Sequence, residues 1–79
     1  MLERAYVMIT CESGCEQRVA EQLKSLDGIK EIASTIGAYD IVAKIEVPTT
    51  EALRELIARG IRKISRVHAT TTIVCEPYF

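Results

Sequence analysis

In the stretch Ile36-Gly37-Ala38-Tyr39-Asp40 a phenol and a carboxylate stand side by side just after a glycine. A carboxylate takes an ammonium or another cationic donor, and a phenol both donates and accepts. Glycine lets backbone approach a ligand closely and takes positive φ at no steric cost. Together these groups can hold a small polar molecule at the mouth of a strand. A second candidate set is Cys11 and Cys15, which as thiolates would hold a soft metal. A third is the lone histidine, His68, which with Tyr39 or Asp40 is the only possible set for a catalytic base.

The last two sets weaken on inspection. Small copper chaperones carry Met-x-Cys-x-x-Cys, and Met8-x-x-Cys11-x-x-x-Cys15 is one residue longer in each gap. Cys11 also fits the inward set of a strand, and buried free cysteine is common. His68 has no cysteine or carboxylate at motif spacing and no recognisable nucleophile. The expectation is no catalytic residue, no metal and no cofactor. The basic group Arg59, Arg62, Lys63 and Arg66 reads as a solvated helix end, because no interleaved aromatics offer base stacking.

The elements that must position these groups are legible in order. Residues 4–11 form a strand with apolar atoms on both faces, Val7 and Ile9 against Tyr6 and Met8. Ser13-Gly14-Cys15-Glu16 matches a capping box and starts a helix with the stripe Val19, Ala20, Leu23 and Leu26, which Asp27-Gly28 stops. Two runs rich in β-branched residues follow, 29–36 and 39–47, paired as a hairpin by a tight reversal at Gly37. Pro48 ends the third strand. Thr49 or Thr50 caps a second helix with the stripe Leu53, Leu56 and Ile57, and Gly60 is expected to stop it. Residues 66–76 make the fourth strand, with Cys75 in the core, and the aromatics of Pro77-Tyr78-Phe79 are expected to pack. The order β-α-β-β-α-β gives a ferredoxin-like α+β sandwich with sheet order 4-1-3-2.

The chain of 79 residues suffices for one domain, 1–79, and its 48% hydrophobic content is generous for that size. Two helices cover one sheet face only. The apolar side chains on the other face therefore predict a homodimer packed sheet to sheet, a dimeric α+β barrel. A net charge of −1 gives no bulk field toward nucleic acid or an anionic membrane. No signal peptide or membrane span is visible, and three cysteines without a secretory context suit a reduced, cytoplasmic protein.

With these elements placed, the chain resembles the ligand-binding (RAM) domain of the leucine-responsive regulator/AsnC (Lrp/AsnC) family. The resemblance rests on Gly37-x-Tyr39-Asp40 after a β-branched strand and on the threonine-rich fourth strand Val67-His68-Ala69-Thr70-Thr71-Thr72. It implies amino-acid effectors bound between dimers, and dimers closing into octameric or decameric rings. Carried over by residue, Gly37, Tyr39 and Asp40 form one wall of the pocket, Thr70 and Thr72 another, with Ser34 beside them. Family regulators usually carry a helix-turn-helix domain ahead of this one, and residue 1 here is already at the first strand. The expectation is a stand-alone domain without direct DNA contact, acting in transcriptional regulation of amino-acid metabolism alone or with full-length Lrp/AsnC regulators. A small dimeric α+β-barrel enzyme and a Cys11/Cys15 metal carrier are the alternatives.

Overall fold

A computed structural model describes residues 2–76. Four strands, β1 (Glu3–Cys11), β2 (Ile29–Ser34), β3 (Ile41–Val47) and β4 (Val67–Val74), form one sheet in the order β2-β3-β1-β4. Every neighbouring pair is antiparallel. This is the order expected from the sequence. Helix α1 (Glu16–Lys24) follows β1, and α2 (Thr50–Glu55) follows β3.

Both helices lie on one face. Val19 and Leu23 of α1, Leu53 of α2 and Ile61 beyond it pack on Ala5, Val7, Ile9, Ile41, Ala43, Ile45 and Val47. Period-2 alternation puts these strand residues on one side of the pleat. On the other side the rows read Tyr6–Lys44 and Met8–Val42 across β1 and β3, with Ile73 and Thr71 opposite Tyr6 and Met8 on β4.

Five local expectations are corrected. Ser13 does not cap α1: Cys15 occupies the cap position, and the Glu16 carboxylate reaches the Gly14 amide instead (3.1 Å). The cause is a turn at Glu12–Cys15, closed by the Cys15 amide on the Glu12 carbonyl (3.0 Å), which delays the helix. At the other end α1 stops at Lys24, before Gly28. Gly28 takes φ +98, and an added Cβ would lie 2.8 Å from Val47 Cγ1, so it serves a close turn-to-strand contact.

Nor is the β2–β3 connection tight: residues 35–40 lie outside both strands. Gly60 does not stop the second helix. The chain continues through a π-helical turn (Leu56–Gly60) and a 3-10 turn (Ile61–Lys63). The wide turn carries Ile61 into the core, and Gly60 sits where a Cβ would crowd Leu26 and Leu56 at 3.3 Å. Cys75 is half-buried rather than core, its amide on the Arg4 carbonyl (2.8 Å). Thr49 caps α2 as expected, accepting from the Ala52 amide (3.0 Å). The packing expected of Tyr78 and Phe79 lies outside the described residues.

Candidate functional site

The loop between β2 and β3 is pinned at its base. The Thr35 amide donates to the Asp40 carbonyl (2.9 Å), and Thr35 Oγ1 donates to the Tyr39 carbonyl (2.8 Å). The Asp40 amide donates to the Ile9 carbonyl (2.9 Å), and Asp40 Oδ2 accepts from the Cys11 amide (2.9 Å). The β3 ladder ends with Ile41 opposite Ile9. The Cys11 amide lies beyond that end, and the Asp40 carboxylate takes the place of the absent strand acceptor. A carboxylate accepts at both oxygens, so Oδ1 keeps capacity for a ligand ammonium.

Above this base the loop is open. Ile36 is fully exposed at the apex, and Tyr39 is half-buried. Gly37 has φ +131, and nothing lies within 4 Å of an added Cβ, so the backbone angle and not space demands glycine there. Ser34 ends β2 beside the loop, opposite Ile41.

The threonines stand elsewhere. Thr70 pairs with Ile9 and Thr72 with Val7, on the far edge of the sheet. The row Ser34–Ile41–Ile9–Thr70 crosses all four strands. Three strand spacings separate its ends, about 14 Å. Asp40 is separated from β4 by β1, or about 10 Å at two spacings. One protomer therefore gathers Ser34, Gly37, Tyr39 and Asp40 at one corner and leaves Thr70 and Thr72 on the opposite edge strand.

Of the two groups at Thr70, Arg62 was not visible in the sequence as a site residue, and His68 was weighed there only as a catalytic base. Thr10 pairs with Ala69 but Cys11 with Val67, so His68 is the extra residue of a β-bulge. Arg62, brought over β4 by the 3-10 turn, donates from Nε to Thr70 Oγ1 (3.4 Å). Arg62, Val67, His68, Ala69 and Thr70 line a cavity of about 440 Å³. Before it, Arg66 holds φ +78, with its carbonyl accepting from the Glu12 amide (2.9 Å) and its guanidinium on the Glu12 carboxylate (3.3 Å). The only sequence signal for Arg62 was its place in a basic cluster.

The alternatives lose ground. Burial pushes the Cys11 thiol up, with the Asp40 and Glu16 carboxylates and the Cys15 thiol adding in the same direction. His68 makes no hydrogen bond with Tyr39 or Asp40, from which β1 separates it. A larger cleft of about 650 Å³ opens at the opposite end of the sheet, over Val47, Pro48, Ala52 and Leu56. It contains none of the expected site residues, and of its rim charges Glu46 pairs with Arg4 and Glu55 with Arg59.

A ferredoxin-like sheet with one bare face and a pinned, open loop at its corner makes a small α+β domain with room for a ligand at that corner. The family model "Lrp/AsnC ligand binding domain" matches residues 4–76, and the chain belongs to that family. An uncharacterized HTH-type transcriptional regulator of Pyrococcus furiosus is 32% identical over 73 residues, covering 89% of this chain and 49% of its own length. A homocitrate synthase of Sulfurisphaera tokodaii is 32% identical over 69 residues, 86% of this chain but 15% of the enzyme. The structure of the protein TTHA0845 from Thermus thermophilus superposes with TM-score 0.92 at 26% identity, covering 98% of this chain and 96% of that one. The chain spans about half the length of the regulators it matches. The family model and the regulators among these relatives support a regulatory effector-binding role. No helix among the described residues is long and apolar enough to cross a membrane.

Proposed function

We propose that the chain senses a small α-amino acid in a cleft formed where copies meet, and reports it through assembly. The observation that carries this is the split site. The Asp40 corner and the Thr70 edge are each open and lie on opposite flanks of β1, so a neighbouring copy can close either one. Asp40 Oδ1 would take the ligand's ammonium. Amides around Gly37, with the hydroxyls of Thr70, Thr72 and Ser34, would take its carboxylate, and Tyr39 would wall the pocket.

The bare face supports association. Tyr6 is 40% exposed and its cross-strand neighbour Ile73 53%, with Met8 and Val42 in the next row. Sheet-to-sheet dimers would cover these residues, and rings of dimers, octameric or decameric, would bring corners and edges together. Partnership with full-length Lrp/AsnC regulators would carry the signal to DNA. The match inside a homocitrate synthase fits the same reading, since what a regulator and an enzyme can share is a sensor.

Calorimetric titration with the twenty amino acids, alongside light-scattering mass, is the test. Binding of at least one amino acid with a change in mass is expected. Asp40→Asn keeps an acceptor for the Cys11 amide and removes the charge, so it should fold and bind at least tenfold more weakly. If no amino acid binds, the sensing role is lost.

A further inference from the structure

We propose that the effector is an acidic amino acid, its side-chain carboxylate held by Arg62 and His68. This rests on the sensor reading above and narrows its ligand class. The cavity at Thr70 is lined by a guanidinium, an imidazole, a hydroxyl and two small apolar side chains, and no carboxylate among the described residues lines it. Of the neighbouring cations, Arg66 meets Glu12 at 3.3 Å and Arg59 meets Glu55 at 3.9 Å, while Lys63 does not line the cavity. Arg62 meets only the Thr70 hydroxyl among the described residues, at the long distance of 3.4 Å. A guanidinium has five donors in a fixed fork that matches a carboxylate two-to-two. One long bond to a neutral hydroxyl leaves that fork unfilled.

Two irregularities in the chain converge on this cavity. The bulge re-aims His68 beside it, as bulges at functional sites do. The π-helical turn and the 3-10 turn after it carry Arg62 over the edge strand, where a regular helix stopped at Gly60 would leave it outside. The ligand's own α-ammonium goes to Asp40, so the site asks for one cation and two anions on one small molecule. Aspartate and glutamate have that pattern. Their amides lack the second anion, and 2-oxo-diacids lack the ammonium.

The test is calorimetry on the full chain with L-glutamate, L-aspartate, L-glutamine, L-asparagine, L-leucine, 2-oxoglutarate and sulfate. One of the acidic amino acids should bind at least tenfold more tightly than its amide. Arg62→Gln, at an exposed position, should leave the circular dichroism spectrum unchanged. It should weaken the acidic ligand by about tenfold to a hundredfold, the loss of one charge-assisted pair, and change L-glutamine by less than about threefold. A neutral amino acid that binds as tightly as either acid overturns the acidic assignment while the sensor reading stands. Sulfate or 2-oxoglutarate matching L-glutamate reduces the cavity to a plain anion site and overturns it too. Silence from every amino acid removes both readings.

Discussion

On β3, Ile41, Ala43, Ile45 and Val47 are at most 6% exposed, while Val42, Lys44 and Glu46 between them stay half-buried. The backbone and its hydrogen bonds are common to both sets, so cover alone makes the difference. Helices α1 and α2 close one face within the chain. The opposite face keeps an apolar centre at Tyr6, Met8, Val42 and Ile73 and a charged margin with the Arg4–Glu46 pair (3.0 Å). Burying an apolar side chain gains roughly 1.5–3 kcal/mol. The covered face has collected that gain in the monomer. The bare face can collect it only against another surface, and in the assembly proposed above that surface is a second copy.

The contrast can be broken most directly under the helices. Ile9→Ala should cost about 2–5 kcal/mol in urea unfolding, because Ile9 is fully buried and its neighbours cannot close the gap. A cost under about 1 kcal/mol would mean that the helices cover the face only loosely. On the bare face, Tyr6→Glu should change unfolding by less than about 0.5 kcal/mol at dilutions where the chain is unassociated. At higher concentration the same variant should hold a monomer mass in light scattering while the wild type associates. If its stability loss in the dilute chain matches that of Ile9→Ala, the two faces do not differ as described.

The smallest effect sharpens the boundary between core and corner. Burial raises the Cys11 thiol, so the folded chain keeps a proton that the unfolded chain releases once pH passes about 8.5. Stability should therefore fall as pH rises through that value, and stop falling when the folded thiol ionises as well. Cys11→Ala should flatten that decline in denaturation midpoints measured between pH 7 and pH 10. An unchanged slope would assign the decline to other groups.

Much of the fold was legible because its signals are local. Alternation in 4–11 and the β-branched run ending at Pro48 marked two strands, and Thr49 or Thr50 after Pro48 marked a helix start. Where the reading missed, a contact from outside the segment decided. Ser13 lost the cap to the Glu12–Cys15 turn. Gly60 looked like a stop, but the demand of Ile61 for the core and the crowding by Leu26 kept the helix going. At the site, Gly37, Tyr39 and Asp40 were legible as a group because they are adjacent in sequence. Arg62 was not, since its partner Thr70 and the bulge at His68 exist only once β4 is registered on β1.

The sequence by itself determined the order of elements, the faces of β1 and β3, a cap at Thr49 or Thr50 and the membership in a family of regulatory ligand-binding domains. The tertiary structure alone decided that Asp40 serves the Cys11 amide 29 residues away, that Thr70 stands across the sheet from Ser34, and that Arg62 is left with an unfilled fork. The division has a physical reason. Periodicity, caps and turns are interactions between residues a few positions apart, and they are written in the order of the letters. A hydrogen bond between elements distant in sequence depends on register, which is set by the packing of the whole core.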